Sequence, residues 1–163
     1  MSKQKSKDKS ADASSSSHTP VPRPCNDEEW EDYGNDFNGL ARANCWITRE
    51  GPSENFNCVG WSVGDPTLHE WDHNLQTMIN WYATKGYEPT ETLADSATID
   101  LWLSSKGTFA HASKKYTGIV MQGMAGGLWE STLYPGATLT HGREEIKCDT
   151  FAKVAASLRL KAK

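Results

Sequence analysis

The chain has 163 residues, seven of them tryptophan, and a formal net charge of −4. That length is enough for one domain with its own core, and the negative charge argues against binding to nucleic acid or to a membrane surface. The sequence contains no secretory signal and no apolar run of the roughly 18–20 residues that a membrane-spanning helix needs, so it predicts a cytoplasmic protein.

Residues 1–25 are predicted to form a disordered tail, and residues 26–163 a single domain. The tail has four lysines at alternate positions, four consecutive serines and three prolines, with almost nothing apolar to bury. Ordering it would therefore cost conformational entropy without a compensating gain. The four cysteines, at positions 25, 45, 58 and 148, form no CxxC motif. We expect free thiols rather than a zinc ribbon or a thioredoxin-like site.

Two helices are predicted in the first half of the domain. Aromatic side chains recur at helical spacing over residues 26–38, after an Asn-Asp pair suited to capping a helix. The longer helix covers residues 66–84 and has an apolar stripe along one side. Thr67 and Glu70 form its capping box, and Gly86 ends it.

The second half is predicted to form a small sheet followed by a helix. Apolar alternation and turn residues indicate strands over residues 99–103, 108–113 and 128–133, with another possible over 116–122. The closing helix begins at Asp149 and buries a stripe of four residues: Phe151, Val154, Ala155 and Leu158. The predicted class is α+β, with N-terminal helices packed on a small, mostly antiparallel sheet and a closing C-terminal helix.

The stretch from Asn57 to Asp65 is the strongest candidate for chemistry. Val59 and Val63 are spaced as on a helix that begins at Cys58. A thiol at a helix N-terminus and near an imidazolium has a lowered pKa and becomes nucleophilic. The free N–H groups there can also stabilise an oxyanion. The alternative role for Cys58 is that of a small buried apolar residue.

His111 is the candidate base for this thiol. It lies in a strand of small residues, and a histidine on a sheet can activate a cysteine on a helix; the alternative is a core histidine bonded to a carbonyl. A third residue would orient the imidazole, and Glu130, Ser131 and His141 compete for that role. Glu130 and Ser131 point to opposite faces of their strand, so at most one faces the site. Glu130 has the better chemistry for an imidazolium.

Residues 69–73, with the sequence HEWDH, match the HExxH zinc pattern. On the predicted helix, His69 and His73 lie away from the apolar stripe, whereas zinc-protease ligands face a cleft. A third ligand could come from Glu88, Glu91 or His111. Catalytic zinc held by His69 and His73 is therefore an alternative to the thiol site.

Five segments resemble, in order, the signatures of an uncharacterised bacterial and fungal domain family. Its members read roughly N-C-x-A-W-A-x-G-D, then G-Y-E-P, H-A-A, W-x-S-K-L-G and a late histidine. The corresponding segments here are NCVGWSVGD at 57–65, GYEP at 86–89, HAS at 111–113, WESTL at 129–133 and LTH at 139–141. The resemblance covers about residues 30–147.

That family is in turn similar to compact papain-like cysteine hydrolases, such as bacterial cell-wall amidases of the NlpC type. The resemblance implies that the fold is papain-like and that Cys58 is the nucleophile. It also implies that His111 is the base and that a residue in 129–131 orients the histidine.

The resulting hypothesis is a hydrolase or acyltransferase that needs no cofactor and acts on an amide, peptide or isopeptide bond. The Cys58 N–H and the Asn57 side chain would hold the oxyanion. Trp61, Trp129 and His141 are expected to line the substrate cleft. The alternatives are a zinc hydrolase using the HEWDH segment and a papain-like binding module without turnover.

Overall fold

The computed structural model describes residues 20–51, 57–65, 67–133 and 136–162, and an antiparallel sheet of eight strands dominates them. The strands are β1 (Arg23–Pro24), β2 (Trp46–Arg49), β3 (Tyr87–Thr90), β4 (Ile99–Leu103), β5 (Phe109–Lys115), β6 (Trp129–Thr132), β7 (Thr138–His141) and β8 (Lys153–Leu160). Their order across the sheet is β1-β2-β7-β6-β5-β4-β8-β3, and every neighbouring pair is antiparallel.

Three short α-helices accompany the sheet: α1 (Asp27–Asp36), α2 (Cys58–Ser62) and α3 (Leu75–Thr84). The predicted helix over residues 26–38 is confirmed as α1, which begins with a capping box formed by Asn26 and Glu29. None of the described helices is long and apolar enough to cross a membrane. Most of the predicted tail lies outside the described residues, but β1 falls within its last part and is paired with β2.

The predicted papain-like α+β arrangement is wrong, because the fold is mainly a β-sheet. Among the described residues the α-helices are three short segments, while the sheet includes strands from the start to the end of that part of the chain. The sequence pattern does not predict β3 or β7. β3 contains Pro89, which is tolerated because β3 is an edge strand that pairs only with β8.

The predicted C-terminal helix is a strand, β8. It lies between β3 and β4 and pairs with both, so hydrogen bonds satisfy its backbone on both sides. That pairing outweighs the helix propensity of its two alanines. Val154 and Leu158 are four residues apart, a spacing that places two residues on the same side of a helix or of a strand. The sequence pattern therefore does not separate the two structures.

The long helix predicted over residues 66–84 begins only at Leu75, where the Asn74 side chain caps α3. Residues 67–73 form a loop instead. The Thr67 hydroxyl donates to the Asp65 carboxylate at 2.6 Å rather than capping a helix. The strand predicted over residues 116–122 is also a loop, which joins β5 to β6.

The sheet carries a hydrophobic core on each face. Helices α2 and α3 cover one face, whose core includes Leu101 and Ala112. The other core includes Phe37 just after α1, together with Trp102 and Leu139 from the sheet. In the register of β4 with β5, Leu101 lies opposite Ala112 and Trp102 opposite His111. His111 therefore faces the α1 side of the sheet, and Ala112 the α2 side.

Strands β5 and β6 separate where α2 packs against them. Their pairing consists of Lys114 with Glu130 and Lys115 with Trp129. The earlier part of β5, over residues 109–113, pairs with β4 but not with β6. Helix α2 contacts both β5 and β6, so its first residue can reach the β5 backbone through the opening.

Gly60 marks the closest approach of α2 to the loop that follows it. An added Cβ would lie 2.4 Å from the Leu68 carbonyl oxygen and 2.5 Å from that of Asp65. Because both neighbours are backbone atoms, we expect Gly60→Ala to lower the free energy of unfolding in urea by about 1–3 kcal/mol. Gly126→Ala is the control, since its Cβ would meet nothing within 4 Å, and it should cost less than about 0.5 kcal/mol. Equal losses in the two variants would contradict this account.

Candidate functional site

Cys58 is the first residue of α2, which confirms that a helix begins there. Its side chain is 7% exposed. The backbone N–H groups of Cys58, Val59 and Ala112 all act on its sulfur as hydrogen-bond donors. Ala112 belongs to β5, and its N–H is part of the peptide that joins it to His111. The sulfur therefore lies against the strand that carries the candidate base.

Cys58 and His111 line the same cavity, which has a volume of about 770 Å³. This volume is in the range of small-molecule and substrate sites. Helix α1 and the residue after it contribute Tyr33 and Phe37 to the walls, and the loop after α2 contributes His69 and Trp71. Phe151, which precedes β8, completes an aromatic wall: its ring stacks on Phe37 at 6.1 Å between ring centres.

Two contacts fix the His111 ring. Its Nε2 atom lies 2.9 Å from the Ser131 hydroxyl, and the Phe151 ring stacks on it at 4.4 Å with an angle of 19° between the planes. Ser131 lies on β6, on the same face of the sheet as His111. With Nε2 engaged, Nδ1 is the nitrogen that can act on a neighbouring group.

Hydrogen bonds beyond Ser131 determine which His111 nitrogen carries the proton. The Ser131 hydroxyl is 2.7 Å from His141 Nε2, and His141 Nδ1 is 2.6 Å from the Gly142 carbonyl oxygen. That oxygen can only accept, so His141 Nδ1 carries a hydrogen and neutral Nε2 accepts from Ser131. Ser131 must then accept from His111 Nε2, which leaves His111 Nδ1 unprotonated. This is the state that a general base requires.

Glu130, the predicted partner with the better chemistry for an imidazolium, lies on the opposite face of β6. Its carboxylate accepts a hydrogen bond from the Thr48 hydroxyl at 2.5 Å, and burial raises its pKa. The strand alternation expected from the sequence thus separates the two candidates, and it brings Ser131 rather than Glu130 to His111.

The Asn57 side chain is oriented by its capping role. Its Oδ1 atom accepts from the Gly60 N–H at 2.8 Å, so the amide nitrogen Nδ2 points the other way. Nδ2 lies 3.4 Å from His69 Nδ1. Asn57 also lines the cavity, so a donor suited to an oxyanion lies close to Cys58.

The HEWDH segment has a different geometry from the helical zinc motif. Residues 69–73 are a loop, so His69 and His73 are not brought to one side of a helix. In the described part of the chain, no three His, Cys, Asp or Glu side chains form a group that could hold a metal ion. His69 instead belongs to the wall of the cavity.

The three residues assigned to the substrate cleft lie elsewhere. Trp61 is 8% exposed beneath the Lys114 ammonium, Trp129 is 3% exposed beneath the Arg143 guanidinium, and His141 is fully buried. Trp61 lies in α2, Trp129 and His141 lie in the sheet, and none of the three is among the described residues that line the cavity. The tryptophan in the cavity wall is Trp71, which packs on Phe109 at 4.8 Å between ring centres.

The sequence profile of a family described as a domain of unknown function, DUF7689, matches residues 47–159. The chain belongs to the DUF7689 family. No curated protein and no solved structure matches it. The predicted membership of an uncharacterised domain family is thus confirmed. The DUF7689 region includes Cys58, His111, Ser131 and His141, whereas α1, which contributes to one cavity wall, precedes it.

In this member of the DUF7689 family, the Cys58 thiol and the His111 imidazole are both neutral near pH 7. Burial raises the pKa of Cys58 to about 11, although the three backbone N–H groups offset part of that rise. Burial, with a smaller effect of His141, lowers the pKa of His111 to about 3. Burial also lowers the pKa of His141 to about 4. A preformed thiolate–imidazolium pair is therefore disfavoured, and proton transfer has to accompany attack.

This charge state predicts the pH dependence of Cys58 alkylation. Because the thiolate forms only as the pH approaches about 11, the rate with iodoacetamide should keep rising through pH 9 and 10. At pH 7.5 it should be roughly 10–100-fold below that of a thiol in a short peptide. The measurement uses Cys148→Ser, which removes the cysteine that is partly exposed. A plateau reached below pH 7 would instead reveal an ion pair.

Sequence reasoning does not find the aromatic wall, and it names His141 only as one of three candidates to orient His111. Phe37 and Phe151 are far apart in sequence and meet only because α1 and the segment before β8 lie on the same face. For His141 a weak signal exists, since positions 139 and 141 alternate as in a strand. That pattern places His141 on the same face as Leu139, inside the core rather than in a cleft.

Proposed function

We propose that the chain is a cysteine hydrolase or acyltransferase that acts on an amide, peptide or isopeptide bond. Cys58 is the nucleophile, His111 the base and Ser131 the residue that orients the base. The observation that carries the proposal is that Cys58 and His111 line one cavity of about 770 Å³ while the Ser131 hydroxyl hydrogen-bonds the Nε2 atom of His111.

In the proposed reaction, His111 carries the proton in each step. The Cys58 sulfur attacks the carbonyl carbon, and His111 Nδ1 takes the thiol proton. The Cys58 N–H and Asn57 Nδ2 donate to the oxyanion. The tetrahedral intermediate then expels the amine, which receives the proton from His111. Water or an acceptor amine attacks the thioester, again with His111 as base, and restores the thiol.

The resemblance to NlpC-type hydrolases supports the chemistry only. The order of cysteine, histidine and a polar residue on a later strand is the same in both. The β-rich scaffold differs, so the proposal rests on the side chains and not on the fold.

A binding module without turnover is the second candidate. The observation that favours it is the neutral state of both groups, with pKa values of about 11 for Cys58 and about 3 for His111. In that case the cavity binds an amide-bearing ligand and the thiol stays unmodified. Trapping a covalent intermediate separates the two candidates.

The experiment uses p-nitrophenyl acetate, an activated ester that acylates cysteine nucleophiles without knowledge of the natural substrate. The full chain should release p-nitrophenol in a burst, and intact mass spectrometry should detect one acetyl group. Peptide mapping should place that group on Cys58, and continued turnover should follow from hydrolysis of the thioester.

Two variants control the experiment. Cys58→Ala should lose both the burst and the acetylated peptide, whereas Cys148→Ser, altered at a partly exposed cysteine, should retain both. If Cys58→Ala releases p-nitrophenol as fast as the unaltered protein, the hydrolase proposal fails and the binding module stands.

A further inference from the structure

Two further cysteines lie on the α1 side of the sheet, opposite each other at the ends of β1 and β2. The register pairs Arg23 with Ile47 and Pro24 with Trp46, so the next opposed residues are Cys25 and Cys45. The Cys25 N–H donates to the Cys45 carbonyl at 3.0 Å. Directly opposed residues of antiparallel strands have Cα atoms about 4.5–5.5 Å apart. A disulfide needs about 4.4–6.8 Å.

The two side chains also point the same way. Cys25 and Cys45 both belong to the core that contains Phe37 and Trp102, on one face of the sheet. Burial raises the pKa of the Cys45 thiol, and a hydrogen bond with the Cys25 thiol raises it further. The two thiols therefore lie at opposed positions of the two strands and on the same face of the sheet, which is the arrangement that a disulfide requires.

The surroundings of the two thiols differ, which assigns them different roles. The Arg42 guanidinium hydrogen-bonds both Cys25 and the Asp27 carboxylate, and its side chain is 46% exposed at the surface. Cys45 is 0% exposed and Cys25 is 5% exposed, so an external reagent reaches Cys25 first.

We propose that Cys25 and Cys45 are a redox site that forms a reversible disulfide by exchange with a small disulfide such as oxidised glutathione. The Cys25 sulfur attacks one glutathione sulfur, which makes a mixed disulfide, and the Cys25 thiol proton passes to the first glutathione as it leaves. Cys45 then attacks the Cys25 sulfur and passes its proton to the second glutathione as it leaves. Two protein thiols are oxidised, and one glutathione disulfide is reduced to two thiols.

The disulfide ties the start of α1 to the sheet. Cys25 immediately precedes the cap of α1, and α1 itself has no fully buried residue. Its partly buried Tyr33, together with Phe37, lines the cavity, so the bond anchors one cavity wall. The bond closes a ring of about 20 residues. It therefore lowers the conformational entropy of the unfolded chain and raises the free energy of unfolding.

The test treats the reduced full chain with oxidised glutathione and examines the product under non-reducing conditions. We expect a loss of two hydrogen masses, a peptide that links Cys25 to Cys45, and a Tm higher by roughly 5–10 °C. Dithiothreitol should reverse all three. None of these three measurements depends on Cys58. Their failure would therefore contradict the redox proposal without affecting the hydrolase proposal.

Single variants identify the order of attack. Cys45→Ala, which keeps this buried position apolar, should stop at the mixed disulfide and carry one glutathione on Cys25 without the rise in Tm. Cys25→Ala should carry no glutathione on Cys45. If glutathione modifies Cys148 while Cys25 and Cys45 remain reduced, the proposed redox site does not exist.

Discussion

Replacing His111 with glutamine is expected to slow acylation of Cys58 by p-nitrophenyl acetate roughly 10²–10⁴-fold, the usual contribution of a general base. Glutamine can still reach Ser131 with its terminal amide, but it lacks a nitrogen equivalent to Nδ1 that accepts a proton. Stopped-flow measurement of the p-nitrophenol burst gives the rate, and peptide mapping confirms that Cys58 carries the acetyl group.

The matched control is His73→Gln, which changes an exposed histidine of the loop before α3. This variant should keep the rate of the unaltered protein within a factor of about two, because His73 is outside the group of described residues that line the cavity. His69→Gln is the decisive comparison, since His69 lines the cavity. A large loss there, with little change in His111→Gln, would assign the base to His69.

Replacing Arg143 with methionine should lower the free energy of unfolding by about 3–5 kcal/mol, because the change leaves a buried carboxylate without its partner. Asp100 is 0% exposed and accepts from Arg143 Nε at 2.7 Å and Nη2 at 2.9 Å. The Ser157 hydroxyl donates to the same carboxylate at 2.7 Å. Urea denaturation followed by circular dichroism measures the loss.

Arg159→Met serves as the control, since Arg159 forms an ion pair with Glu88 at side-chain exposures of 50% and 35%. Exposed pairs contribute about 0–1 kcal/mol. Adding Asp100→Asn to Arg143→Met removes the stranded charge and should recover part of the loss. Equal losses in Arg143→Met and Arg159→Met would show that burial of Asp100 does not set the cost.

Arg143 also lies next to the turn that orients His141 in the candidate site. It follows Gly142, whose carbonyl orients His141, and its guanidinium lies over the Trp129 ring at 4.3 Å. The Gly142 N–H in turn donates to the Glu145 carboxylate. The turn that ends the hydrogen-bond chain from His111 is thus held by two charged side chains.

The local features of the site could be predicted from residues that are close in sequence. A helix beginning at Cys58 follows from the polar cap before it and the spacing of the two valines after it, and Asn57 does cap α2. Likewise, the alternation of β6 predicts that Glu130 and Ser131 face opposite sides. The pattern does not predict which of them meets His111, because that depends on how β5 and β6 are paired.

The long helix and the closing helix show the limit of local patterns. The HEWDH segment looks helical in sequence, but Asp65 engages Thr67, and the loop carries Trp71 onto Phe109. The segment after Asp149 has spacing that suits a helix or a strand, and it becomes β8 because β3 and β4 offer hydrogen-bond partners on both sides. Tertiary pairing overrides weak intrinsic preferences in both places.

Local sequence patterns predict α1, a helix beginning at Cys58 and the alternating strands β4, β5 and β6, and they indicate Cys58 and His111 as candidates for chemistry. The hydrogen-bond chain through Ser131 and His141, the stacking of Phe151 on His111 and the opposition of Cys25 and Cys45 arise from the tertiary structure. Caps and side-chain periodicity depend on neighbours within a few residues, whereas strand register and cavity walls depend on contacts between distant parts of the chain.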